Sequence, residues 1–131
     1  MAERRVLVVE DSFLILVALE MLLEQHGIDI VGPASTVAEA LALAETGAAD
    51  IALLDVNLHG DMVFPVADRL IQHGIPIIFT TGYTAKEVLP PRYAGIPTIQ
   101  KPYEGAALMA LVEEAFARAR QQASSSSLRL A

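Results

Sequence analysis

Five residues with acid, base or phosphoryl chemistry stand where short apolar runs of the chain end. They are Glu10, Asp11, Asp55, Thr81 and Lys101. Three carboxylates gathered in one crevice repel each other, and their ionised forms need a cation; hard oxygen atoms of this kind suit Mg²⁺. A lysine and a hydroxyl suit the oxygens of a phosphoryl group, and an aspartate can accept that group as an acyl phosphate. The set predicts phosphoryl transfer with Mg²⁺, provided that the fold brings the five residues together.

The apolar pattern predicts a fold in which the ends of several strands lie close together. Short apolar runs, typical of strands buried on both faces, lie at 6–9, 28–31, 51–54 and 77–79, and a weaker fifth strand is predicted at 98–100. Segments with helical composition alternate with them, at 13–26, 36–45, 62–73, 84–89 and 104–120. Strands that alternate with helices form βαβ units and a parallel sheet. Because ligands of such sheets bind outside the carboxyl ends of the strands, the five residues are expected to meet there.

Composition and charge exclude several classes of protein. The 131 residues fit one domain, and a 53% hydrophobic content suffices for a core. The absence of cysteine excludes disulfides and thiolate metal sites, and the net charge of −7 argues against nucleic acid or an anionic membrane as partner. No apolar stretch approaches the ~18 residues of a membrane span, so the apolar helix at 13–26 is expected to belong to the core. We expect a cytoplasmic protein with a domain at 4–120 and a disordered polar tail at 121–131.

Four motifs, taken together and in order, resemble a known family. They are Glu10-Asp11, Leu53-Leu54-Asp55-Val56-Asn57, Thr81 and Lys101-Pro102. This set is similar to the receiver domain of two-component response regulators, and the resemblance extends over about residues 4–120. It implies an α/β, CheY-like or flavodoxin-like fold, which is a doubly wound five-stranded parallel sheet of order 2-1-3-4-5 with five helices.

The resemblance also implies a role for each site residue. A histidine kinase or phosphotransfer protein would phosphorylate Asp55. The implied ligands of Mg²⁺ are Glu10, Asp11, Asp55 and the backbone carbonyl of Asn57. Lys101 would contact the phosphoryl group, and the hydroxyl of Thr81 would bond to it once Asp55 is modified. Apart from its own phosphorylation and dephosphorylation, such a domain is a signalling module and not an enzyme.

A narrower resemblance concerns the fourth strand and its neighbours. Phe79-Thr80-Thr81-Gly82-Tyr83 and Val31-Gly32-Pro33-Ala34 are similar to the single-domain receivers called the FAT GUY group, with Thr80 in place of that group's alanine. These proteins are associated with bacterial stress signalling, in part through phosphorelay steps. A receiver without an output domain would act in trans, by binding an unknown protein target or by passing the phosphoryl group on. We expect no nucleic acid, no membrane and no small-molecule substrate other than phosphodonors.

One position departs from the pattern of the family. Many receivers carry an aromatic switch residue three positions before the lysine, where this chain has Thr98. Tyr83 and Tyr103 are alternative candidates for the switch. His59 lies close to the site in sequence, and its surroundings favour an exposed turn residue over a catalytic one.

Three other functions remain open at this point. A Mg²⁺-dependent phosphatase of the haloacid dehalogenase type also begins from an aspartate at a strand end, but it needs a second aspartate where this chain has Asn57. A flavin carrier would need a hydroxyl- or glycine-rich phosphate loop after the first strand, where Glu10 and Asp11 would repel a phosphate. A degenerate receiver, acting as a binding module without phosphorylation, is the third.

Overall fold

The predicted parallel sheet is confirmed. The computed structural model describes residues 4–82 and 89–130, with residues 123–130 described by their backbone alone. The strands are β1 (Arg5–Val9), β2 (Asp29–Ala34), β3 (Ile51–Asp55), β4 (Asn57–Leu58), β5 (Asp61–Met62), β6 (Ile77–Thr81) and β7 (Thr98–Gln100), and the helices are α1 (Phe13–Gln25), α2 (Val37–Glu45), α3 (Phe64–Gln72) and α4 (Gly105–Leu130). The main sheet has the order β2-β1-β3-β6-β7 with all pairs parallel. Since β4 and β5 form a separate hairpin, this is the predicted order 2-1-3-4-5.

The helices differ from the prediction in number and length. The described residues contain four α-helices where five were expected, and the predicted helix at 84–89 falls on residues 83–88, which lie outside the described residues. A 3-10 turn at Pro91–Tyr93 follows. Helix α4 continues past the predicted end at Arg120 to Leu130, whereas the sequence predicts a disordered tail there; the domain boundary at 120 stays a prediction. No helix in the described part of the chain has the length and apolar character that crossing a membrane requires.

Two element boundaries also differ from the prediction. Strand β2 continues through Gly32 and Pro33, which were expected to end it. Strand β2 lies at the edge of the sheet, where the missing N–H of a proline on the open side breaks no hydrogen bond between strands. The register between β1 and β2 also shifts at this point. Helix α3 begins at Phe64, later than expected, because Asn57 pairs with Met62 in the β4–β5 hairpin. Pro65 lies in the first turn of α3, where its missing N–H costs no helical hydrogen bond.

Capping side chains set the start of two helices. Ser12 is the N-cap of α1 and accepts a hydrogen bond from the backbone N–H of Ile15. A capping box is formed at α2, where Thr36 Oγ1 accepts from the backbone N–H of Glu39 at 3.1 Å. The carboxylate of Glu39 accepts in turn from the backbone N–H of Ser35, which lowers the pKa of Glu39. Because α1 is capped at residue 12, residues 10 and 11 remain outside the helix at the end of β1.

The core lies on both faces of the sheet. Alternate strand residues point to opposite faces. One face packs against α2 and α3 through Leu7, Val9, Ala52, Leu54 and Phe79, and the other packs against α1 and α4 through Val6, Val8, Ile51, Leu53 and Ile78. All of these side chains are buried. The three central strands therefore form a rigid floor, and the residues that follow them are held at its carboxyl edge.

An aromatic cluster anchors the chain between β6 and β7. The ring of Tyr93 stacks on Phe64 of α3 and meets Phe79 of β6 edge to face, with centroids 5.3 Å apart in both pairs. The Tyr93 hydroxyl donates to Asp68 Oδ1 at 2.5 Å, and Arg92 pairs with the same carboxylate. Burial, and then this hydrogen bond to Asp68, raise the pKa of Tyr93 to about 12. The cluster fastens the 3-10 turn against α3.

Candidate functional site

The carboxyl edge of the sheet gathers the residues that the sequence singled out. Glu10 and Asp11 follow β1, Asp55 ends β3, Thr81 ends β6, and Lys101 follows β7. Glu10 and Asp55 are buried, and Asp11 and Lys101 are partly exposed. Glu10 and Asp55 are each the first polar residue after a buried apolar run, so β1 and β3 carry these two carboxylates to the edge of the core.

Lys101 joins two of the carboxylates. Its Nζ donates to Glu10 at 2.8 Å and 3.0 Å, one bond to each oxygen, and to Asp55 Oδ2 at 3.1 Å. The side chains of Glu10, Asp55 and Lys101 are 3%, 7% and 15% exposed, so these contacts are screened little by water. The ammonium group therefore offsets the repulsion between two carboxylates that would otherwise face each other.

Burial and charge shift the protonation of this group of residues. Burial raises the pKa of Glu10 to about 7, and the charge of Asp55 adds to this, while the hydrogen bond from Lys101 opposes it. Burial acts to lower the pKa of Lys101, but the hydrogen bonds and charges of Glu10 and Asp55 outweigh it, and the pKa is raised. Lys101 therefore stays cationic in the crevice.

The carboxylates fit a divalent cation. Glu10, Asp11 and Asp55 each offer an oxygen, and these atoms lie within 4.8 Å of one another. When all three carboxylates are ionised, Lys101 balances one of their negative charges, and a divalent cation would balance the other two. Hard oxygen donors of this kind are the ligands that Mg²⁺ prefers. The chemistry of the donors and their charge thus agree with the predicted Mg²⁺ site.

The β4–β5 hairpin closes the site on one side, and the sequence did not predict it. The backbone N–H of Asn57 donates to Asp55 Oδ1 at 3.3 Å, and the side-chain oxygen of Asn57 accepts from the N–H of Gly60 at 2.6 Å. His59 is 78% exposed, as expected, but its backbone N–H donates to Asp11 Oδ2 at 2.8 Å. The sequence signal for this contact is Gly60, which marks a tight turn.

The threonines at the end of β6 lie beside the carboxylates. Thr80 and Thr81 are both buried, at 3% and 9% exposure. Thr80 is the register partner of Asp55, and the carbonyl of Thr81 accepts from the backbone N–H of Lys101 at 2.7 Å. The strand pairing therefore places Thr81 at the same edge of the sheet as Asp55 and Lys101.

The three candidate switch residues have different surroundings. Thr98 is exposed, and its hydroxyl donates to the carbonyl of Ile96. Tyr83 lies outside the described residues. Tyr103 is partly buried near the carboxylates: burial, and then the charges of Glu10 and Asp55, raise its pKa to about 12.

An apolar groove opens beside the site, between α1 and the segment 101–105. Its volume is about 780 Å³, and its lining includes Leu14, Ala18, Leu22, Lys101 and Tyr103. The outer face of α1 is apolar as well, with Phe13 76% and Leu14 80% exposed. Helix α1 contributes Leu19 and Leu23 to the core, as expected, while Phe13 and Leu14 face solvent.

Comparison with known proteins places this arrangement in a family. The family model of the response regulator receiver domain matches residues 6–113. The chain belongs to the response regulator receiver family. The match includes all five residues at the carboxyl edge of the sheet, and it confirms the resemblance that the four motifs indicated.

Individual receivers show the same likeness. The chain is 31% identical over 121 residues to the transcriptional regulatory protein PdtaR of Mycobacterium tuberculosis; the match covers 90% of this chain and spans 59% of that relative's length. The solution structure of SdrG from Sphingomonas melonis Fr1 is 39% identical, with a TM-score of 0.75, and the match covers 91% of this chain and 98% of SdrG. A second SdrG structure, of the BeF₃-activated conformation, is also 39% identical, has a TM-score of 0.70 and covers 86% of this chain and 98% of that one. A CheY-like receiver domain protein from Methanospirillum hungatei JF-1 is 25% identical, with a TM-score of 0.80 and coverage of 92% and 99%.

Membership in the receiver family does not favour the other functions that the sequence left open. Receivers are signalling modules of two-component systems that histidine kinases or phosphotransfer proteins phosphorylate. A phosphatase of the haloacid dehalogenase type is not favoured, because Asn57 occupies the position of its second aspartate and its side chain closes the hairpin turn. A degenerate receiver is not favoured either, since the acidic residues and the lysine are present and in contact.

Proposed function

We propose that this receiver accepts a phosphoryl group on Asp55 from a histidine kinase or phosphotransfer protein, with Mg²⁺ bound at the site. The observation that carries the proposal is the position of Lys101, whose Nζ contacts Glu10 and Asp55 at the carboxyl edge of the sheet. The proposed ligands of Mg²⁺ are Glu10, Asp11, Asp55 and the backbone carbonyl of Asn57. When bound, the cation would offset negative charge on the phosphoryl oxygens.

Asp55 and Lys101 have separate parts in the proposed transfer. A carboxylate oxygen of Asp55 forms a bond to phosphorus while the bond from phosphorus to the donor's imidazole nitrogen breaks, and that nitrogen keeps the electron pair. Lys101 already lies 3.1 Å from Asp55, so a short movement away from Glu10 would bring its ammonium group to a phosphoryl oxygen. Such a prepositioned cation stabilises the charge of the transferring group.

The proposed signal begins at Thr81 and does not use Thr98. The hydroxyl of Thr81 would bond to the phosphoryl group, as the family pattern implies. Thr98 has no aromatic ring and faces solvent, so we assign the aromatic part of the switch to Tyr103, which is partly buried beside the site and lines a groove with room for a ring to move. Tyr83 remains the alternative. The chain would then act in trans on a protein target or pass the phosphoryl group on.

Beryllofluoride with Mg²⁺ tests the proposal, because it mimics an aspartyl phosphate without turnover. We expect amide shifts in NMR spectra at Glu10, Asp11, Asp55 and Thr81, and with acetyl phosphate an intact mass raised by one phosphoryl group. Absence of both the adduct and the Mg²⁺-dependent shifts would overturn the proposal.

A Lys101→Ala variant should separate the two roles at the site. Loss of a prepositioned charged donor lowers the rate of such a reaction by about 100-fold, so we expect phosphorylation by acetyl phosphate to slow by about that factor while Mg²⁺ still binds. Arg120→Ala, which removes an exposed cation far along α4, is the control. If the Lys101 variant fails to fold while the control folds, Lys101 is structural and its proposed role is wrong.

A further inference from the structure

The β4–β5 hairpin connects two of the acidic residues that come from different strands. At its start, the N–H of Asn57 donates to Asp55 Oδ1 at 3.3 Å. Its turn is closed by the bond from the N–H of Gly60 to the side chain of Asn57 at 2.6 Å. At its tip, the N–H of His59 donates to Asp11 Oδ2 at 2.8 Å. The hairpin therefore spans the site from Asp55 at the end of β3 to Asp11 beyond the end of β1.

His59 contacts Asp11 twice, and both contacts fall on one oxygen. Besides the backbone bond, Nδ1 of the imidazole lies 3.3 Å from Asp11 Oδ2, within reach of a hydrogen bond when that nitrogen carries the proton. His59 has a φ of 52°, in the left-handed region that few residues other than glycine adopt. This backbone conformation turns both the N–H and the imidazole toward the same carboxylate.

We propose that His59 is a positioning residue for the cation site, because its backbone N–H and its imidazole both contact Asp11 Oδ2 and so orient this carboxylate. The proposal rests on the proposed function, since it assumes that the acidic group binds Mg²⁺. Asp11 is the carboxylate that needs such support: its side chain is 14% exposed, and Lys101 contacts Glu10 and Asp55 instead. Hydrogen bonds to a ligand from outside the coordination shell orient it, and losing one commonly lowers metal affinity by about tenfold or more.

Three variants separate the imidazole from the backbone of His59. His59→Gly removes the ring and accepts a positive φ without strain, so the backbone bond to Asp11 can persist. His59→Ala removes the ring as well and serves as a second deletion. His59→Asn keeps a nitrogen at the position of Nδ1, and asparagine tolerates the left-handed region. His73→Ala is the matched control, because His73 is another partly exposed histidine beside a carboxylate, Glu45, and follows α3 away from the site.

The affinity for Mg²⁺ alone, measured by NMR titration of the backbone amides, is the main readout. We expect the Gly and Ala variants to bind about tenfold more weakly, and the Asn variant and the His73→Ala control to bind within about twofold of the natural chain. In the metal-free protein with a neutral imidazole, a long-range ¹H–¹⁵N spectrum should show the proton of His59 on Nδ1.

The outcomes distinguish this proposal from the proposed function. If the natural chain binds Mg²⁺ and the Gly variant binds it equally well, the imidazole has no positioning role and the inference is wrong. A proton found only on Nε2 would also overturn it. If the natural chain binds no Mg²⁺, the proposed function fails and this inference fails with it.

Discussion

An Asp55→Asn variant should not be phosphorylated by acetyl phosphate and Mg²⁺, so its intact mass should stay unchanged. An amide has no anionic oxygen to form the acyl phosphate, and the variant removes the proposed nucleophile while it keeps the shape of the side chain. The variant should fold, because Lys101 retains its two bonds to Glu10. We expect complete loss of the adduct in mass spectra recorded over a series of times.

Asp61→Asn is the matched control for this experiment. Asp61 carries the same side chain, lies on the neighbouring hairpin and is exposed, so its variant should gain the phosphoryl group at the rate of the natural chain. An adduct on the Asp55→Asn protein would contradict the assignment and direct attention to Asp11 or Glu10. Loss of the adduct in both variants would show that the effect is not specific to Asp55.

A Phe79→Ala variant should lose about 3–5 kcal/mol of the free energy of unfolding. Phe79 is fully buried in the middle of β6 and contacts the rings of Phe64 and Tyr93. Its removal leaves a cavity under the strand that carries Thr81. Since domains of this size are stable by about 5–15 kcal/mol, the variant would approach the limit of folding.

Phe13→Ala provides the control for that loss. It makes the same substitution on α1, where the ring is 76% exposed, and exposed positions usually change stability by no more than about 0.5 kcal/mol. Urea unfolding curves of the two variants and the natural chain give the comparison. Equal and small effects at both positions would contradict the packing of β6 described above.

The strands that carry the site could be predicted because they are apolar on both faces. In β1 and β3 nearly every residue is buried, so the first polar residue after each run had to lie at the edge of the sheet. Residue types alone therefore indicated the acidic group and the lysine. The contact of Lys101 with Glu10 and Asp55 could not be read from the sequence, because it depends on which strands are neighbours and on the direction of a long side chain.

The differences from the prediction occur where a pattern is too short or too uniform. Strands of two residues, such as β4 and β5, have no measurable alternation, so the predicted helix at 62–73 began inside the hairpin. The bond from His59 to Asp11 depends on a left-handed residue that only the fold reveals. Helix α1 has no polar residue from Phe13 to Leu19, and a pattern without a polar side cannot tell which face is buried.

The two described tyrosines set an alkaline limit for the fold. The pKa of Tyr93 and that of Tyr103 are both raised to about 12, from an ordinary value near 10. In the unfolded chain both hydroxyls ionise near pH 10, so the stability that their burial contributes is complete below about pH 10 and is lost as the pH rises through about 12. One of these rings fastens the 3-10 turn to α3, and the other lines the groove at the carboxyl edge of the sheet. In strong base, ionisation of Tyr93 therefore weakens the anchor of the β6–β7 connection, and ionisation of Tyr103 weakens one wall of the groove. Both changes fall in the same pH range, and tyrosinate absorbance would report them.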